Sequence, residues 1–215
     1  TPHSLSGATP GNRGATLAGV VFNGGVTTVT WTVSDAAGNT GTCSFTVTVN
    51  DNDNPSVVCP TDKTRTTDAP TCAYTTMSTE FDPVSSSDNC GVTGQSWSLS
   101  GATSGSGNTT LAGVSINKGV TTVTWTVTDA AGNTGTCSFT ITVNDDDAPS
   151  LVCPGDKTRN TTAPMCSYTA SGTEFDLVSS SDNCAVTSTS YSLSGATTGS
   201  GSNTLKTVVF NKGVT

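Results

Sequence analysis

This chain has little charge, few aromatic residues and a single histidine, and each shortage removes a class of function. Charged residues make up 11% of its 215 positions and aromatic residues 6%. Its 8 Lys and Arg form no cluster and the formal net charge is −8, so it suits neither a nucleic-acid backbone nor an anionic membrane surface. Cations suit it better. There is no run of about 20 apolar residues and no signal-peptide pattern, so no membrane-crossing helix is expected in this segment. There is no CxxC pair, and the one histidine, His3, has Trp97 and Tyr191 at the equivalent places further along. It reads as a ring filling a packing slot, not as a metal ligand or a base. With no base available, none of the many serines is an activated nucleophile. The Gly-Ser-Gly triplets at 105–107 and 199–201 lead into no helix pattern, so they are not phosphate loops. The chain reads as a non-enzyme without an organic cofactor.

What is present is repetition. Cys43 recurs as Cys137, Cys59 as Cys153, Cys72 as Cys166 and Cys90 as Cys184, each pair 94 residues apart. The words around them recur as well: VTTVTWTVSDAAGNTGTCSFTVTVND returns as VTTVTWTVTDAAGNTGTCSFTITVND, and VSSSDNC occurs twice. A fixed period of this size marks an array of units along one chain. Phased from the Pro-marked segment after each acidic cluster, residues 1–53 are the back part of one unit, 54–147 a complete unit and 148–215 the front part of a third. The chain is thus expected to be a window on a longer array. About three quarters of positions 1–53 match positions 95–147, as recent duplication within a repeat polymer would leave them.

Composition points to an all-β, secreted class. Ser and Thr together make about a third of the chain, and helix is hard to place anywhere. In residues 123–127 valine and tryptophan take one face and threonine the other, and residues 137–143 alternate in the same way. Both read as half-buried strands. Between them Asp129-Ala130-Ala131-Gly132-Asn133 supplies turn residues, which predicts an antiparallel hairpin. Further short strands are expected at 56–59, 72–76, 92–99 and 111–116. About seven strands in 94 residues predicts a sandwich. Eight cysteines at fixed spacing read as a disulfide framework and therefore as an oxidising, extracellular compartment.

The order Val58-Cys59-Pro60, Cys72, Asp88-Asn89-Cys90, Gly119-Val120-Thr121-Thr122-Val123, Asp129-Ala130-Ala131-Gly132-Asn133 and Cys137-Ser138-Phe139 resembles the hyalin repeat family. The resemblance covers the whole complete unit and the matching parts of both partial ones. It implies tandem immunoglobulin-like or fibronectin III-like sandwiches arranged in line, in secreted or cell-surface proteins associated with adhesion. The four-cysteine version is similar to units in long bacterial surface proteins. The chain departs from the family in the Gly/Ser/Thr stretch at 101–113, to which no strand is carried over.

In such a sandwich the first and last strands run side by side, so the resemblance implies a Cys59–Cys137 bond. Cys72–Cys90 and Cys166–Cys184 are the remaining pairs, under the tension of a loop draped from Phe81 to Asn89. Cys43 and Cys153 are left unpaired or bonded to neighbouring copies. The bonds matter because the apolar set is thin: Tyr74, Phe81, Leu99, Leu111, Ile116, Trp125, Phe139 and Ile141 against an ordering cost of about 1–2 kcal/mol per residue.

Specific chemistry is expected only at the acidic junctions, Asn50 to Pro55 and Asn144 to Pro149. Clustered carboxylates with amide oxygens are the ligands calcium favours, which makes Asp51, Asp53, Asp145 and Asp147 the candidate ligands, joined by Asp35 or Asp129 if the hairpin turns reach them. The first junction resembles the Asp/Asn-rich linkers of cadherins. The same composition also suits a plain solvated turn. Asn108 and Asn160 head triplets that fit the N-glycosylation sequon, although such triplets arise by chance in Thr-rich chains, and O-linked sugar suits the outward threonines at least as well. Together these readings describe a structural or adhesive extracellular fibre whose partners are neighbouring copies. The alternative is an adhesin module on a repeat stalk, with the variable loops contacting surface carbohydrate or protein. A third class is the stalk of an enzyme whose catalytic domain lies elsewhere.

Overall fold

β-Branched residues favour extended, pleated backbone, and threonine and valine alternate along residues 119–129. In the computed structural model, which describes residues 2–215, they form the strand Gly119–Asp129, where every second side chain from Thr121 to Asp129 is buried. Its sheet neighbour is Thr134–Asn144. No helix occurs among the described residues, and the fold is all-β, built of tandem β-sandwich repeats. The chain forms two compact units, each drawing on more than one repeat.

The first unit comprises residues 2–62, 76–113 and 122–140. Phe81, Leu99, Leu111, Val123, Trp125, Val127 and Phe139 form its main core, with Leu5 and Val29 buried in the first partial repeat. Trp125 donates from Nε1 to the Phe81 carbonyl at 2.9 Å, which satisfies the one polar atom of the largest buried side chain. The Phe81 and Phe139 rings stack with centroids 6.2 Å apart. Within residues 2–49 the equivalent of Phe139, 94 positions earlier, is Phe45, which is 45% exposed against 5%. Four antiparallel strands occur there in the order Gly11–Arg13, His3–Gly7, Gly25–Ser34, Thr40–Val49.

The stretch at 101–113 does contain a strand, Gly105–Gly107, paired antiparallel with Val92–Gly101. Glycine is needed because the Trp97 ring lies against it: a Cβ on Gly107 would stand 2.5 Å from the indole. His3 fills the corresponding slot in the first partial repeat. It is buried, tilted on Trp31 with ring centroids 4.7 Å apart, and its Nδ1 meets the Gly14 carbonyl at 2.6 Å. The strand expected at 111–116 is confined to Ser115–Asn117. Leu111 is nonetheless fully buried, in a turn: its N–H donates to Asp82 Oδ1 at 2.9 Å and its carbonyl accepts from the Thr76 hydroxyl.

The second unit comprises residues 63–75, 114–121 and 141–215. Tyr74, Ile116, Thr121, Ile141 and Val143 are buried in it. Ala73–Thr75 pairs antiparallel with Ser115–Asn117. Lys63–Thr66 runs parallel to the end of Thr134–Asn144, with Lys63 opposite Ile141. Its sequence, KTRT, shows no apolar alternation, so nothing local announces it. Residues 150–211 contribute three short antiparallel pairs, among them Ser167–Thr169 with Val209–Asn211. There Arg159 and Tyr168 close on Glu174, with Arg159 Nη2 at 2.9 Å and the Tyr168 hydroxyl at 2.7 Å.

The cysteine connectivity differs from the local pairing expected. Cys59 is bonded to Cys137. Cys72, however, is bonded to Cys184 and not to Cys90, and Cys166 is not bonded to Cys184; Cys90 and Cys166 are exposed thiols, as are Cys43 and Cys153. The reason lies in two loops. Cys72 sits on a turn closed by Asp68 and Ala73, whereas Cys90 sits on another, where Asp88 accepts from its backbone N–H. Asn183 docks on the Cys72 loop, donating from Nδ2 to Thr67 Oγ1 at 3.0 Å and to the Thr71 carbonyl at 3.2 Å. That contact brings Cys184 to the Cys72 sulfur.

Candidate functional site: an acidic cluster at the repeat junction

The hairpin turn after Gly119–Asp129 is organised by its first residue. Asp129 Oδ1 accepts from the Gly132 and Asn133 amides at 2.7 and 2.9 Å, and Oδ2 accepts from Asn133 Nδ2 at 2.7 Å. Gly132 sits at φ +95°, a conformation glycine adopts without penalty. Asp35 and Asn39 repeat the arrangement in the first partial repeat. The Asn133 amide also donates to the Asp51 carbonyl at 3.1 Å, and so fixes the junction segment beside the hairpin. From the other side comes the turn at Asp88, whose Oδ2 accepts from the Cys90 and Gly91 amides at 2.7 and 3.1 Å.

These contacts bring one carboxylate oxygen each of Asp51, Asp88 and Asp129 within 4.8 Å of one another. Asp129 is buried and the other two are half-buried. Asp51 Oδ2 is buried without a hydrogen-bond partner. The Cys90 thiol lies in the same cluster; its hydrogen bond to Asp51, then burial, then the charges of Asp51, Asp88 and Asp129 push it above its ordinary value. A pocket of about 640 Å³ opens here, lined in part by Gly24, Asp51, Cys90 and Asn133.

Burial acts most strongly on Asp129 and opposes its charge, but the hydrogen bonds from Asn133, Gly132 and Ala131 outweigh it and hold the carboxyl below its ordinary value. A carboxyl lowered on folding stabilises fully above the unfolded value of about 3.9, and that contribution is lost as pH falls through the lower, folded value. Protection of the Gly132 and Asn133 amides against hydrogen exchange should therefore hold through neutral and weakly acidic pH and drop only below the usual carboxylate range. The acid step should be absent in Asp129→Asn. Loss of protection near neutrality would contradict this account.

Of the four expected ligands, Asp51 belongs to the cluster and Asp53 does not: Asp53 Oδ2 accepts from Asn89 Nδ2 at 3.0 Å. At the second junction Asp147 is engaged in the same way by Asn183 at 2.9 Å, and Asp145 forms an ion pair with Lys118 at 3.0 Å. Asp129 joins Asp51, whereas Asp35 stays within its own turn. Asp88 was missed, although its recurrence as Asp182 in the same triplet was a visible signal. Lys118 is one difference between the junctions. Its equivalent, 94 residues earlier, is Gly24, so one junction carries an ammonium against its carboxylates and the other carries none. Asn108 and Asn160 are both exposed.

Hyalin of Strongylocentrotus purpuratus is 35% identical over 158 residues, a stretch that covers 69% of this chain but 12% of hyalin; the chain thus spans about an eighth of that relative's length. Among solved structures, the extracellular domain of protocadherin GammaB4 aligns at 16% identity with a TM-score of 0.36, covering 88% of this chain and 31% of that one. The protocadherin gammaB7 EC3-6 cis-dimer aligns at 13% identity with a TM-score of 0.32, covering 99% and 59%. The HYR domain family matches over residues 12–49 and 50–143, and the chain therefore belongs to the HYR domain family.

Proposed function

We propose that this chain forms part of an extracellular, adhesion-type array of HYR repeats, phased as residues 1–53, 54–147 and 148–215, that acts as a structural or adhesive fibre. The carrying observation is that junction chemistry recurs with the sequence period: Asn89 holds Asp53 as Asn183 holds Asp147. A junction contact repeated along a chain gives reach and a defined spacing, which a polymer needs and a catalyst does not. Neighbouring copies are the partners in this reading, and the exposed Asn108 and Asn160 are open to sugar. Electron microscopy of the native material should show thin filaments in which each repeat advances the axis by about 35–45 Å, the span of an eight-residue strand with its loops. Compact particles would overturn it.

Calcium belongs to the same reading at the first junction, with Asp51, Asp88 and Asp129 as ligands in place of the full set of four first expected. An ion that neutralises three carboxylates stiffens the joint. Calcium at about a hundred times its dissociation constant should then raise stability by about 2.7 kcal/mol. Gly24→Lys should abolish the effect, because a Cβ there meets nothing within 4 Å and the new ammonium would stand where Lys118 stands at the second junction. Calorimetry showing no heat of calcium binding, with an unchanged melting temperature, would remove calcium from the proposal.

A further inference from the structure

Cys72 lies in the complete repeat and Cys184 in the following one, so the bond between them crosses a repeat boundary, whereas Cys59–Cys137 closes a single repeat. Shifting both bonds by one period of 94 residues accounts for every thiol in the chain. Cys43 and Cys153 are halves of the Cys59–Cys137 type, and Cys90 and Cys166 are halves of the Cys72–Cys184 type. In each case the partner position falls outside residues 1–215.

The free halves are already shaped like the bonded ones. Asp182 Oδ1 accepts from the Cys184 and Ala185 amides at 2.8 and 3.0 Å, and Asp88 Oδ2 accepts from the Cys90 and Gly91 amides at 2.7 and 3.1 Å. On the other side, Asp68 N donates to the Ala73 carbonyl at 2.7 Å, and Thr162 N to the Ser167 carbonyl at 2.9 Å. Thr71 N returns to the Asp68 carbonyl at 2.7 Å, as Met165 N does to that of Thr162 at 2.8 Å. The loops carrying the Cys90 and Cys166 thiols are thus preformed for a bond they lack only a partner to make. The contact is also more than a pair of sulfurs, since Asn183 bonds Thr67, Thr71 and Asp147 beside it.

We propose that the Cys72–Cys184 bond is a repeat-to-repeat staple that propagates with the period, and that Cys90 and Cys166 are the two complementary halves through which another HYR repeat of this sequence is joined covalently. Closing each staple joins two thiols with loss of two protons and two electrons. Both go to a disulfide oxidant such as glutathione disulfide, which leaves as two thiols. The proposal concerns covalent connectivity alone and stands or falls independently of calcium and of adhesion.

The test uses the chain equilibrated with glutathione disulfide and a lengthened chain in which residues 54–147 occur twice in succession. Counted as cysteines not bonded within their own chain, whether free, capped by glutathione or joined to another copy, the thiols should number four in each, because every added repeat brings one internal bond and one staple. Cleavage of the original chain after Tyr74, Trp97, Phe139 and Tyr168 puts Cys90, Cys137, Cys166 and Cys184 on separate peptides, and the peptide carrying Cys72 should be linked to the one carrying Cys184. Cys72→Ser should raise the count to five. Two thiols in each chain, with Cys72–Cys90 and Cys166–Cys184 peptides, would overturn the staple in favour of pairing within each repeat. Four thiols rising to six on lengthening would show that the bond does not propagate, and would overturn the proposal equally.

Discussion

Replacing Trp125 by alanine should cost the first unit about 3–5 kcal/mol, the usual loss for an aromatic side chain removed from a core. Trp125 has no exposed surface and is the largest fully buried side chain among the described residues. The substitution also removes the Nε1 donor from the Phe81 carbonyl, which accepts from it at 2.9 Å. Loss of that hydrogen bond costs about 0.5–1.5 kcal/mol more. Against a net domain stability of about 5–15 kcal/mol, this loss is a large share of the total and should move the unfolding midpoint far toward lower urea. Trp125→Phe separates the two effects, since it keeps most of the apolar contact and removes only the donor. Urea unfolding followed by circular dichroism is the measurement. A Trp125→Ala loss below about 1 kcal/mol would show that the core is not centred on this ring.

Cys59→Ser should lower stability by about 4.5 kcal/mol, the unfolded-state entropy that closing a loop of 78 residues removes in the chain-entropy account. The effect is large here because the core that must compensate is thin. Only Val123, Trp125, Val127, Phe139 and a few others are buried in this part of the first unit, and threonine takes most of the remaining positions of its central strands. Cys137→Ser should match it, and the double variant should be no worse than either single one, because both remove the same bond. Additive losses would mean that the two sulfurs contribute through packing and not through the cross-link.

The central strands, the hairpin turn and the ring slot were legible in the sequence because each is announced locally. Alternation of Val and Thr marks Gly119–Asp129, DAAGN carries its own hydrogen bonds, and Trp97, Tyr191 and His3 recur at one position in the period. Features without local announcement were not legible. Lys63–Thr66 is a strand only because the end of Thr134–Asn144 offers it a parallel edge. Leu111 is buried in a turn that Asp82 and Thr76 hold from elsewhere in the chain, so apolarity signalled burial without signalling a strand. At the acidic junction, clustering along the chain suggested Asp53 as readily as Asp51; Asn89 takes the first, while the hairpin turn and the Asp88 turn converge on the second.

The sequence by itself determined the period, the all-β class, the oxidising setting and the family, since each rests on residue spacing and composition that no fold has to confirm. The tertiary structure alone decided which sulfurs meet and which carboxylates share a space. Cys72 and Cys90 are 18 residues apart and Cys72 and Cys184 are 112 apart, yet the longer pair is the bonded one. Separation along the chain sets the entropy of closing a loop, but proximity is set by the loops on which the two residues are held, and in this chain the docking of Asn183 on Thr67 and Thr71 brings the distant sulfurs together.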